Sequence, residues 1–130
     1  MEAGYLEMLR GPKPGRHYVV VSIASSSVTA FIAGLNQKKD QALNLINQRA
    51  EQRFLRYPHT DSIKDCDGVH ELRTHGGIRF YYFFDGAGVV VITHASEHVD
   101  KRRVKREGSR CEDLRKEYLL EKEKHRKVAR

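Results

Sequence analysis

The chain has 130 residues, 39% of them hydrophobic, and a formal charge of +7, which suits one compact domain with a modest core. That charge favours a polyanionic or acidic partner over a neutral small molecule. Two cysteines are too few for a disulfide framework, no apolar run reaches the length of a membrane span, and "MEAGYLEMLRGPKPGRH" lacks the apolar stretch of a secretion signal, so a cytoplasmic protein with no membrane association is expected.

Residues 1–16 end in "RGPKPGR", whose prolines and glycines disfavour regular structure. A loosely ordered leader is expected there. "HYVVVSI" (His17 to Ile23) is short and β-branched, which predicts a first strand. The serines of "ASSSV" are candidate helix caps, and Val28, Phe31, Ile32 and Leu35 then fall on one face of a helix. A second helical stripe runs from near Lys38 through Ala42, Leu45, Ile46, Arg49 or Ala50, and Phe54 to about Tyr57, where Pro58 stops it. The two helices predict a hairpin that covers one face of a sheet. "HTDSIKDCDG" reads as a polar loop.

Three strands are expected near Val69–Thr74, Ile78–Phe84 and Val89–His94, separated by Gly76-Gly77 and by Asp85 to Gly88. From Glu97 to Arg130 there are thirteen Lys or Arg and eight Asp or Glu, so 13 − 8 = +5 of the charge lies there. Only Cys111, Leu114, Tyr118 and Val128 suggest an apolar face in this stretch, which predicts a weakly amphipathic helix, solvated in part or held by a partner. The expected fold is α+β: a small antiparallel, mixed-edge sheet of about four strands, an N-terminal helical hairpin on one face and a charged C-terminal helix. The expected divisions are a leader over 1–16, a domain over 17–105 and the charged helix over 106–130.

Loop lengths predict the register. A four-residue loop from Asp85 to Gly88 sets Phe84 against Val89, Tyr82 against Val91, Tyr81 against Ile92 and Arg79 against His94. A three-residue loop His75-Gly76-Gly77 sets Arg73 against Arg79, whereas a two-residue glycine turn pairs Arg73 with Phe80. The three-residue solution keeps Leu72 with Phe80 and lines up Arg73, Arg79 and His94 on one face, with Leu72, Phe80 and Tyr82 in a core on the other. Two neighbouring arginines repel by roughly 3 kcal/mol at 5 Å and an effective dielectric of about 20. Solvent screening, an acid such as Glu71 or Asp85, or a bound anion has to offset that.

Glu71-Leu72-Arg73, the Gly76-Gly77 turn, Arg79, Tyr81 to Gly86, the β-branched strand ending in His94, and Lys101-Arg102 together form an ordered set. It resembles the RelE/HigB-like toxins of bacterial type II toxin–antitoxin systems, within the RelE/ParE superfamily and its phage-derived HigB-like branch. The resemblance covers about residues 17–105 and is sharpest from Asp67 to His94. It implies a metal-independent endoribonuclease without cofactor that cuts mRNA, often on the ribosome, and that a cognate antitoxin, a helix-turn-helix protein, holds inactive. Such chemistry needs a proton acceptor, a proton donor and cations against the phosphorane charge. Arg73 and Arg79 suit the phosphate and His94 suits proton transfer, which makes these three the candidate catalytic residues. Tyr81, His98, Lys101, Arg102 and Arg103 are the candidate RNA contacts.

The chain departs from the family pattern after His94, where Glu97, His98 and Asp100 stand before the basic pair. Acids placed there predict a weaker hold on RNA. Two alternatives follow: a ParE-like toxin that poisons DNA gyrase, or an attenuated module that only binds RNA or protein. His94 with His98, and Cys66 with His70, have the four-residue spacing of helical metal ligands, but His94 ends a strand, so no metal site is expected.

Overall fold

The computed structural model of the chain describes residues 5–56, 59–97 and 100–128, with side chains through Arg126. Six strands form one mixed sheet: β1 (Leu6–Arg10), β2 (Val19–Ile23), β3 (Thr60–Ser62), β4 (His70–Arg73), β5 (Ile78–Asp85) and β6 (Val89–Glu97), in the order β1-β2-β6-β5-β4-β3. Three helices accompany it: α1 (Val28–Ala33), α2 (Lys39–Glu51) and α3 (Lys101–Val128). The α+β class agrees with expectation, but the sheet is larger. Among the described residues no helix is long and apolar enough to cross a membrane.

The two additional strands are edge strands that carry weak sequence signals. Leu6–Arg10, expected in the loose leader, pairs antiparallel with β2 across a bulge between Met8 and Arg10. The proline- and glycine-rich segment that follows it is irregular. Thr60–Ser62, expected in a loop, pairs with β4 through Thr60↔Leu72 and Ser62↔His70. A three-residue strand with two exposed positions has no alternation to reveal it. β2 lies parallel to β6, with Val20 opposite Val90 and Ser22 opposite Ile92.

The helical hairpin covers one face, as its stripe implied. Val28, Ile32, Ala42, Leu45, Ile46 and Ala50 pack on Val20, Leu72, Phe80, Tyr82 and Ile92. Ser27 occupies the cap position of α1 without a side-chain cap bond. α2 ends at Glu51, before Tyr57, and Phe54, expected on its apolar stripe, is 77% exposed. The buried Arg49 accounts for the early stop, because its guanidinium donates to the carbonyls of Gln52 (2.9 Å) and Arg53 (3.2 Å) and turns the chain outward. Tyr57 and Pro58 lie outside the described residues.

α3 covers the opposite face. It starts at Lys101, five residues before the expected 106, because the Asp100 carboxylate accepts the Arg103 amide at 2.9 Å and caps it. Its buried line is Gly108, Cys111 and Tyr118. Tyr118 packs with Phe83 and Val91, and Cys111 with Ile63, Cys66, Val69 and Tyr81. A Cβ on Gly108 would stand 2.7 Å from Ile63 Cγ2 and 3.0 Å from Cys66 Sγ. Glycine therefore sets how closely this helix approaches the β3–β4 loop.

Candidate functional site

The site grows from the register of β4, β5 and β6. Arg73 stands opposite Arg79, and Leu72 opposite Phe80, so the three-residue solution for the His75–Gly77 loop holds, with Gly77 at φ 85°. The second hairpin differs from expectation. Asp85 pairs with Val89, leaving a three-residue loop with Gly86 at φ 66°, and a bulge between Tyr81 and Tyr82 moves the register once more. Arg79 consequently faces Ser96, Tyr81 faces His94 and Tyr82 faces Ile92. Arg79 and His94 are not cross-strand partners. Beyond the bulge the two shifts sum to an even slip, so Glu71, Arg73, Arg79, Tyr81, His94 and Ser96 remain on one side, whereas before it the slip is a single residue and Val91 and Ile92 exchange faces.

Two arginines stand side by side here because an acid bridges them. Glu71, 4% exposed, accepts Arg79 Nη1 on Oε2 at 2.7 Å, while its Oε1 lies 3.3 Å from Arg73 Nε. Around this trio, β3, the β3–β4 loop and the first turns of α3 leave a groove of about 500 Å³, into which Lys64, Lys101 and Lys105 also face. Lys105 lies 3.4 Å from Asp65. Five cations and three acids (Asp61, Asp65 and Glu71) line the groove, 5 − 3 = +2, and an open groove with a positive balance attracts an anion.

His94 lies deeper. It is 3% exposed and stacks on Tyr81 with ring centroids 4.6 Å apart. Its Nδ1 is 2.9 Å from the Thr93 hydroxyl and its Nε2 is 2.6 Å from Glu107 on α3. The neutral tautomer that satisfies both contacts donates from Nε2 to Glu107 and accepts from Thr93. Burial pushes the imidazole below its ordinary pKa of 6.5, Arg110 adds to that, and Glu107 opposes it. Burial thus favours the neutral imidazole, and α3 covers it.

The structure brings Arg73, Arg79 and Lys101 to one groove and leaves the other candidates elsewhere. Tyr81 is fully buried, and its hydroxyl is 2.8 Å from Ser96 Oγ, so its ring has no open face for a base. Arg102 and Arg103 are exposed in the first turn of α3. His98 lies outside the described residues. The acids that interrupt the family pattern do not crowd the groove: Glu97 pairs with Lys38 at 3.0 Å, opposite Ile78 on the helical-hairpin face, and Asp100 caps α3.

A family model described as "Phage derived protein Gp49-like (DUF891)" matches residues 30–110. The chain belongs to the Gp49-like family. This family lies within the RelE/ParE-like toxin superfamily and is commonly a toxin-like module. The match runs from α1 through all of β3 to β6 and into α3 as far as Arg110, so it includes the groove and the Glu107 cover over His94. Searches of curated proteins and of solved structures each found no match. Sequence reasoning offered Glu71 or Asp85 as the acid beside Arg73, and the structure selects Glu71 and places it against both arginines of this Gp49-like chain; it missed Glu107 as the partner of His94. Glu107 was within reach of it, because the spacing of Cys111, Leu114 and Tyr118 extends back four positions to Glu107.

Proposed function

We propose that this protein is the toxin component of a type II toxin–antitoxin module of the HigB-like branch, and that it is a metal-independent endoribonuclease acting on ribosome-associated mRNA. The observation that supports this best is the Arg73–Glu71–Arg79 arrangement in an open groove with Lys101 and Lys105. Guanidinium forks hold phosphate oxygens in two places at once and stabilise the charge of a phosphorane. In the proposed reaction the ribose 2′-oxygen attacks the adjacent phosphorus and gives up its proton. The bond to the 5′-oxygen breaks, and that oxygen takes a proton, leaving a 2′,3′-cyclic phosphate.

His94 is proposed for proton transfer, a role that requires the first turns of α3 to move aside with Glu107. Arg73 and Arg79 act without such a movement. A cognate helix-turn-helix antitoxin is the proposed partner, seated over the basic groove or displacing the C-terminal segment 110–130. A second reading has a specific observation behind it. Both ring nitrogens of His94 are engaged and the ring is 3% exposed, which suits a module that binds RNA without cutting it.

One experiment separates the two. Purified protein is incubated with mRNA and ribosomes in chelator. Cleavage that Arg79→Ala abolishes and His94→Gln slows supports the toxin reading. Salt-sensitive RNA binding without cleavage supports the second, and absence of both binding and cleavage sinks both.

A further inference from the structure

On the helical-hairpin face, where α2 ends against β4 and β5, a second groove of about 330 Å³ opens beside Arg49. Arg49 is a buried cation, 3% exposed. Its polar contacts are the Tyr82 hydroxyl at 3.2 Å and the two carbonyls that end α2, and its Nε has no partner. Among the described residues no carboxylate pairs with it. The ring faces of Tyr18, Tyr82 and Phe84 surround its guanidinium carbon at 5.2, 5.9 and 5.5 Å. A buried charge is ordinarily paired, so an unpaired guanidinium behind an aromatic wall leaves a positive field for an incoming anion.

The mouth of this groove has the same character. Phe54 is 77% exposed, and Arg53 holds its guanidinium carbon 5.4 Å from the Phe54 ring centre. Tyr18 is shared with an adjoining hollow of about 450 Å³ that Lys13, Arg16 and His17 line. Exposed aromatic rings interleaved with cations make the surface that single-stranded nucleic acids use, bases stacking on rings while backbone phosphates follow the positive charge. An apolar peptide would need neither the unpaired buried guanidinium nor the basic margin. Asp61 is the acid at this groove; it stands with Ser62 on the edge strand β3, and both residues also line the Arg73–Arg79 groove on the other face. One strand can therefore pass over the β3 edge from one groove to the other.

We propose that the groove at the end of α2 binds a nucleotide of single-stranded RNA, with the base against Tyr18, Phe54 and Phe84 and the phosphate toward Arg49 and Arg53. This rests on the reading that the protein binds RNA, and adds a second contact remote from the scissile phosphate.

The test is fluorescence anisotropy with a short, fluorescein-labelled, 2′-O-methyl RNA that cannot be cut, titrated with full-length wild type, Phe54→Ala, Phe54→Trp, Arg79→Ala and the Phe54→Ala/Arg79→Ala double variant. Thermal melts confirm that each variant folds, and Phe54, being exposed, is replaceable. Phe54→Ala is expected to weaken binding by about tenfold, Phe54→Trp to restore it, and the double variant to show the product of the two single effects, because the grooves occupy opposite faces. Wild-type affinity in Phe54→Ala overturns the second groove and leaves the first intact. So does a Phe54→Ala effect confined to self-association in sedimentation. Absence of RNA binding by the wild type overturns both readings.

Discussion

Glu71 shows how a single residue sets the properties of the groove. Its buried carboxylate offsets two guanidiniums that would otherwise repel each other. Glu71→Gln keeps the shape and removes the charge, and is expected to cost about 1–3 kcal/mol in urea unfolding. Added phosphate should recover part of that loss in Glu71→Gln and little in the wild type. Equal phosphate effects on both proteins would show that the groove does not collect anions. His94 gives a second prediction at this scale. Its native pKa lies below 6.5, lowered by burial first, so below that pH the unfolded chain binds more protons than the native one. His70 acts in the same direction, through burial and then Arg49, against Asp61. The unfolding free energy is therefore expected to fall as pH goes from about 7 toward 5. His94→Gln should remove part of that slope, and an unchanged slope would show that His94 titrates as a solvated histidine.

The sheet and helices were legible in the sequence to the extent that each had a period of its own. The β-branched strand at Val19–Ile23, the hairpin of α1 and α2, and the order of β4 to β6 all follow from alternation, helical spacing and glycine turns. The bulge in β6 was not legible, since an extra residue in a run of Val, Ile and Thr changes neither composition nor alternation enough to notice. His94 still came out on the face of Arg79 because a one-residue shorter loop and a one-residue bulge add to an even slip, while Val91 and Ile92, which precede the bulge, exchanged faces. α3 was read as weakly amphipathic, solvated in part or held by a partner, since most of its positions are charged and its contact line consists of a glycine, a cysteine and a tyrosine. Gly108→Val places two methyl groups where Ile63 and Cys66 already stand and is expected to loosen α3 from the sheet. Cys111 reports on it: burial pushes its thiol up to about 12, so alkylation at pH 8 should be slow in the wild type and much faster in Gly108→Val. Equal rates would mean that α3 stays docked without the glycine contact.

For the whole molecule, the charge of +7 becomes informative once it is placed on surfaces. Some of it is internal to the fold, as in Lys122, which donates to Asp85 at 2.7 Å, and Lys38, which pairs with Glu97. Lys64, Arg73, Arg79, Lys101 and Lys105 gather at one groove and outnumber its acids Asp61, Asp65 and Glu71. Four phosphate contacts there predict a slope of about −3 for log affinity against log salt with single-stranded RNA, and Lys101→Ala should make it shallower by about 0.7. A slope near zero would argue against backbone binding. The sequence carried the identity of the groove arginines but not the cover over His94, because a contact between Glu107 and a strand end depends on how a long helix crosses the sheet.

The parallel pairing of β2 with β6 also governs when the protein can exist as a folded body. β2 is made before β3 to β6, yet its inner partner β6 is the last strand in chain order among the described residues. During synthesis β2 can find β1 on one side, while its other edge stays open until residues 89–97 emerge. Closing so long a loop is entropically slow, and pairings of this kind place folding in the millisecond-to-second range. A complete sheet therefore cannot form before β6 is made, and an interrupted product that stops short of β6 carries the groove arginines without the strand that sets β5 in place.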